Sequence, residues 1–165
     1  MRPARAYIGI GSNLEDPIRQ VRRAFQALNG ILASSCVAQS PLYRTAPVGG
    51  PPGQPDYINA VAALDTGLTP YQLLLGLQTL ELAQGRTRSV RWEARTLDLD
   101  LLLYDQLTSA DPRLTLPHPR LHERAFVLYP LRDIAPNLTI PGHGPLSELL
   151  ARCPPQVIAR LDSSD

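Results

Sequence analysis

The stretch RTLDLDLLLY, residues 95–104, sets two aspartates, Asp98 and Asp100, into leucine. Alternation along a strand puts both carboxylates on one face, with Cα atoms about 7 Å apart, and turns Leu97, Leu99 and Leu101 into the core. Two like charges that close raise at least one pKa unless cations neutralise them. Magnesium is one suitable partner, because one or two carboxylates plus substrate phosphates commonly complete its oxygen shell. A surface pairing with arginines is the other, and the aspartates alone leave the two readings level.

The segment ahead of them, GRTRSVRWEAR, tips the balance with Arg86, Arg88, Arg91 and Arg95 around Trp92. Guanidinium groups offer planar, bidentate donors to phosphate and keep their charge. Arginines entering a carboxylate-bearing strand suit a nucleoside triphosphate and its metals. Trp92 either lies against a base or braces the loop. Glu81, one turn upstream, falls inside an apolar helical arc; it either reaches a ribose, an adenine or an arginine, or anchors an ion pair at the helix end.

Downstream, LPHPRLHERAF places His118 and His122 four residues apart. On a helix that spacing suits zinc, but Pro117 and Pro119 put His118 in a turn, and there is no HExxH motif. His118 is therefore read as a rigidly held donor to phosphate, with Arg124 and Phe126 nearby in sequence, and His122 as a plain surface residue. GIGSN at 9–13 lacks the Lys-Ser/Thr of a P-loop and the third glycine of the dinucleotide fingerprint, so it is read as close backbone packing. No Ser-His-Asp arrangement or activated cysteine is recognisable.

The elements that must position these groups follow from periodicity. Residues 5–11 form a short buried strand. Asp16 is expected to N-cap a helix with Pro17 at its first position, an apolar face of Ile18, Val21, Ala24, Phe25 and Leu28, and a stop at Gly30. Residues 34–44 read as a second strand and 56–64 as a third, where Tyr57 and Asn59 share a face with Val61. Between them TAPVGGPPGQP is a loop. Thr69, Pro70 and Gln72 make a capping box opening a helix to about Gln84, with Leu73, Leu74, Leu77 and Leu80 inward. The fourth strand is 96–104. The order β-α-β-β-α-β predicts an α+β, ferredoxin-like sandwich, its helices on one face of an antiparallel sheet. The C-terminal third, rich in proline and with a short helix near 146–152, is expected to wrap around it.

At 165 residues, with 44% hydrophobic and 19% charged, the chain reads as one globular domain spanning 1–165. A net charge of +1 gives no global attraction to nucleic acid or anionic membrane, and no apolar run reaches a membrane span. Cys36 and Cys153 lack zinc-like spacing and read as free, buried thiols.

Taken together, YIGIGSN, SPLYRTAP, QPDYINAV, ELAQGR, RWEARTLDLDLLLY and LPHPRLHERAFVLYPL resemble the 6-hydroxymethyl-7,8-dihydropterin pyrophosphokinase family of the folate pathway, from about Ala6 to Pro136. The resemblance implies transfer of a diphosphate from ATP to the pterin hydroxymethyl group, releasing AMP. It implies two Mg2+ ions held by Asp98 and Asp100, with Arg86 and Arg88 acting beside them on the phosphates. It assigns Gln78, Glu81, Trp92, Arg95, Thr115, His118 and Arg124 to ATP. Tyr57 and Phe126 would sandwich the pterin, and Thr45, Asn59 and the backbone near Pro47 and Val48 would read its edge. ATP and the pterin are the expected partners of a cytoplasmic monomer, without nucleic acid or membrane. Another magnesium-dependent nucleotidyltransferase or phosphohydrolase is the nearer rival. A nucleic-acid-binding ferredoxin-like module is disfavoured, because only 5% of residues are aromatic.

Overall fold

The computed structural model describes residues 2–13, 16–46, 55–84 and 97–161. Strand β1 (Ala4–Ser12) leads to helix α1 (Pro17–Leu28), which starts on Pro17 as its sequence predicts. Val21, Ala24, Phe25 and Leu28 are buried along one face. Asp16 does not cap it. Its backbone is left-handed, with φ 57°, rather than extended, and its side chain makes no cap hydrogen bond.

The strand expected over 34–44 is two strands. Strand β2 (Ser34–Gln39) and strand β3 (Tyr43–Thr45) both pair with β4 (Tyr57–Thr66), and the break falls at Pro41, which has no N–H for a ladder. Ser40 Oγ accepts the Val61 N–H there, at 2.9 Å. Helix α2 (Pro70–Gln84) opens on a complete capping box. The Thr69 N–H donates to Gln72 Oε1 at 2.9 Å, and the Gln72 N–H donates to Thr69 Oγ1 at 3.2 Å. Strand β5 (Leu97–Tyr104) carries the two aspartates, followed by a hairpin of β6 (Ser109–Asp111) and β7 (Leu114–Leu116).

The remainder comprises a 3-10 turn (Leu121–Glu123), α3 (Ala125–Ile134), a small hairpin of β8 (Thr139–Ile140) and β9 (Gly144–Pro145), α4 (Leu146–Arg152) and β10 (Ile158–Arg160). The main sheet runs β10-β3-β4-β1-β5, with β2 also on β4, and every pairing in it is antiparallel.

One core packs α1 and α2 on the sheet through Phe25, Leu28, Leu73 and Leu77 against Ile8, Ile10 and Leu99. A second core covers the other face, where Leu128, Leu131, Leu146 and Leu149 of α3 and α4 meet Tyr7, Val61, Ala63 and Leu103. Helices therefore flank both faces, not one, and what was expected as a wrap supplies the second layer. Helix α3 is the element the sequence concealed. Pro130 interrupts AFVLYPLRDI and removes an intrahelical bond, but burial of Val127, Leu128 and Leu131 offsets that loss.

Candidate active site

The site begins with two missing side chains. Across the centre of the sheet, Asn59 of β4 pairs with Gly11 of β1, and Gly11 pairs with Asp98 of β5. One row along, Val61, Gly9 and Asp100 repeat the pattern. Adjacent strands lie about 4.8 Å apart, so Asn59 and Asp98 stand roughly 10 Å from each other with no side chain between. A Cβ on Gly11 would lie 2.8 Å from Asn59 Oδ1. The glycines of GIGSN thus floor a cleft of about 270 Å³, walled by Thr45, Tyr57, Asn59, Asp98, Asp100, Arg124 and Phe126.

Each wall residue is held by its element. Asn59 is buried and donates from Nδ2 to Thr45 Oγ1 at 2.8 Å, which turns its carbonyl oxygen toward the glycine trough. Arg124 precedes α3 in an extended conformation, and its carbonyl accepts the N–H groups of Val127 and Leu128, both at 2.9 Å. Its guanidinium carbon lies 5.4 Å from the centre of the Phe126 ring, within cation-π range.

A second cleft of about 350 Å³ opens at the β5 edge. Leu74, Gln78 and Glu81 of α2 form one wall, and Arg113, Thr115, His118 and Pro119 form the other. Asp98 and Asp100 line this cleft as well as the first, so the two clefts meet at the carboxylates. Glu81 Oε2 accepts the Leu99 N–H at 2.7 Å, which anchors the strand edge between the two aspartates.

His118 follows a cis Leu116–Pro117 peptide, and its N–H donates to the Leu102 carbonyl at 2.9 Å. The Arg120 N–H donates to His118 Nδ1 at 3.2 Å, so the neutral ring carries its proton on Nε2. Burial, then the charges of Arg124 and Arg120, hold its pKa below the ordinary histidine value. It is a neutral donor at pH 7.

Asp100 is half-buried, and burial raises its carboxyl pKa against partial relief from Arg124. Among the described residues no cluster of three or more His, Cys, Asp or Glu could hold a metal ion. A carboxylate pair that relies on substrate oxygens for the remaining ligands fits magnesium's habits.

The structure brings Asp98, Asp100, Gln78, Glu81, Thr115, His118, Arg124, Thr45, Tyr57, Asn59 and Phe126 into these two clefts. Pro47, Val48, Arg86, Arg88, Arg91, Trp92 and Arg95 lie outside the described residues. His122 is not a plain surface residue: it is half-buried and stacked on His143, with ring centres 4.4 Å apart. Cys36 and Cys153 are free and half-buried, and burial pushes both thiols up, away from nucleophilic reactivity.

The close packing expected at GIGSN is present, at Gly11 against Asn59 and at Gly9 against Leu102, but sequence reasoning did not place these glycines, or Arg113, at the clefts. The glycines had a signal, since their alternation matches that of the aspartates; Arg113, in a short turn, had none.

A family model described as 7,8-dihydro-6-hydroxymethylpterin-pyrophosphokinase (HPPK) matches residues 7–136. The 2-amino-4-hydroxy-6-hydroxymethyldihydropteridine pyrophosphokinase of Pseudomonas aeruginosa is 50% identical over 157 residues, covering 95% of this chain and 96% of that one. A protein of the same name from Haemophilus influenzae is 45% identical over 145 residues, covering 88% and 90%. Among solved structures, an HPPK-DHPS in complex with substrates superposes with a TM-score of 0.71 at 11% identity, covering 92% of this chain. The chain spans 43% of the length of that structure, and at this identity the likeness concerns the fold.

Proposed function

The chain belongs to the 7,8-dihydro-6-hydroxymethylpterin-pyrophosphokinase family, and from that premise we propose how its two clefts divide the work of the reaction. That reaction is ATP-dependent transfer of a pyrophosphoryl group to the hydroxymethyl group of 6-hydroxymethyl-7,8-dihydropterin, in folate biosynthesis. The pterin occupies the glycine-floored cleft, ATP the cleft at the β5 edge. The observation that carries this division is the position of Asp98 and Asp100 in the wall common to both.

In the first cleft, Tyr57 and Phe126 supply flat apolar faces for a bicyclic ring, and Thr45 and Asn59 supply donors and acceptors at its edge. The family resemblance assigns Pro47 and Val48 to the same pterin edge. In the second, Gln78 and Glu81 on α2 face the nucleoside, while Thr115 and His118 meet its phosphates, and Arg124 reaches them from the wall of the first cleft. The neutral His118 ring donates through Nε2 without adding charge. The family resemblance assigns Arg86, Arg88 and Arg95 to the phosphates and Trp92 to the nucleotide.

Asp98 and Asp100 would hold two magnesium ions at the junction. When bound, these supply charge neutralisation and polarise the phosphoryl oxygens. The chain itself fixes the geometry. A hydroxymethyl oxygen projecting from the pterin cleft would meet the β-phosphorus of a triphosphate lying along the β5 edge, with AMP departing on the opposite side. Arg86 and Arg88 act on the transferred group and exclude water.

The strand order supports reading the sheet with α1 and α2 as a ferredoxin-like βαββαβ unit, in which β2 and β3 share the place of the second strand. Residues 1–165 act as one domain. No helix among the described residues is long and apolar enough to cross a membrane. The enzyme works as a cytoplasmic monomer on its two small substrates, without nucleic acid.

The test is one incubation with ATP, magnesium and the dihydropterin, resolving the nucleotides. AMP and pterin diphosphate in equal amounts are expected. ADP or inorganic phosphate would assign the carboxylates to a different transfer.

A further inference from the structure

One cluster at the rim of the second cleft is unexplained by the assignments above. Asp111 ends β6, outside every motif singled out in the sequence, yet five polar contacts converge on it. Its Oδ2 accepts the Tyr71 hydroxyl at 2.5 Å and Arg113 Nη2 at 3.2 Å. Its Oδ1 accepts the Arg113 backbone N–H at 2.9 Å and Nε at 3.4 Å. Its carbonyl accepts the Thr115 hydroxyl at 3.0 Å.

Two of these partners, Arg113 and Thr115, line the cleft. The third, Tyr71, sits in the first turn of α2, the helix that forms the opposite wall through Leu74, Gln78 and Glu81. Arg113 also lies 6.0 Å from the Tyr71 ring centre. Asp111 is thus the joint between the two walls.

We propose that Asp111, tied to α2 by Tyr71, is a positioning residue that sets the grip of the second cleft on the nucleotide by fixing Arg113 and Thr115 relative to the helix. The inference rests on that cleft taking ATP. Three observations support it. Arg113 is 82% exposed, and an isolated exposed ion pair adds little stability, so fold maintenance gives weak reason for such a convergence. A guanidinium is among the side chains with most rotamer freedom, and a two-point carboxylate contact reduces what must be ordered when a polyanion arrives. Finally, the Tyr71 hydroxyl and the Arg113 N–H hold the Asp111 carboxyl well below its usual range, so the joint stays ionised at any working pH.

Three variants separate the contributions. Asp111→Asn keeps an acceptor for the Arg113 N–H but removes the charge facing the guanidinium. Asp111→Ala removes both. Tyr71→Phe removes only the tie to α2. Steady-state kinetics and calorimetric binding of a non-hydrolysable ATP analogue are read for each, with thermal melting as a check on folding.

Asp111→Asn and Asp111→Ala are expected to raise the KM for ATP and weaken the analogue about five- to tenfold, the scale of one charge-assisted contact. The KM for the pterin and kcat should stay within about twofold, and Tyr71→Phe should move the same way by less. Unchanged analogue affinity in Asp111→Asn, or equal losses for both substrates, would overturn the inference and leave the assignment of the clefts standing. A wild-type protein that produces no AMP and binds no analogue would overturn the assignment, and the inference with it.

Discussion

Asn59 and Asp98 face each other across Gly11 in a single row of the sheet, and the absent side chain between them is the floor of the first cleft. Geometry rather than a reactive group gives this position its importance to the cleft. A Cβ here would crowd Asn59, whose Oδ1 would lie 2.8 Å away.

Gly11→Ala follows directly. The new methyl would lie 2.8 Å from Asn59 Oδ1, so the Asn59 side chain must turn and strain or break its bond to Thr45. Pterin affinity should fall about tenfold, the scale of a buried polar contact disrupted, while ATP affinity changes little. Titration of the pterin into the two proteins decides it; equal affinities would show that Asn59 does not read the ring.

Asp100→Asn should abolish turnover and stabilise the ligand-free protein. The folded carboxyl pKa is raised by burial, so the folded chain keeps its proton at pH values where the unfolded chain has lost it. Stability is therefore lost as pH rises from the ordinary carboxylate value through the folded one. The neutral amide removes that loss. Each kcal/mol relieved appears as about 2–4 °C in Tm for a chain of this size. A melting curve lower than wild type without ligands would contradict this account of the site.

Glu81 separates placement from charge. Glu81→Gln retains an acceptor for the Leu99 N–H, whereas Glu81→Ala leaves that strand edge unanchored between the two aspartates. The alanine variant should lose about tenfold or more in kcat/KM and the glutamine variant only a fewfold, by the cost of an unmet backbone donor. Identical losses in the two would point to the carboxylate charge instead.

His143, stacked on His122, should make stability pH-dependent. Burial first, then His122 and Arg152, lower the His143 pKa. The unfolded chain takes up a proton before the folded one, so stability present above about pH 6.5 is lost as pH falls through the folded value. His118, lowered for related reasons, adds in the same direction. Asp100 acts in the opposite sense, so the check is the contrast with wild type: His143→Gln should gain Tm at pH 5 relative to wild type and leave it little changed at pH 7. A slope unchanged by that substitution would place the effect elsewhere.

Much of the architecture was legible because it is local. The capping box at Thr69 and Gln72, the apolar face of α1 and the alternation around Asp98 and Asp100 are each written within a few residues. What escaped depends on tertiary contact. Helix α3 survives Pro130 through packing on β4, and Asp16 fails as a cap because its backbone is left-handed. The break at Pro41 was readable from proline chemistry alone. The clefts' residue types were recognisable by resemblance, but Gly9, Gly11, Arg113 and the His122–His143 stack required knowing which strands and turns are neighbours.

The outermost strand, β10, makes only three pairings with β3, and one of them joins Ile158 to Thr45. A strand so short opens locally at far lower cost than the sheet behind it, and its amides should exchange with solvent early. Thr45 is bonded to Asn59, so a pterin that stiffens that pair also tethers the far end of the chain. Slower deuterium uptake in 158–160 on adding the pterin would make this strand a remote gauge of occupancy. By reciprocity, tension applied through a domain fused after Asp165 would loosen the pterin.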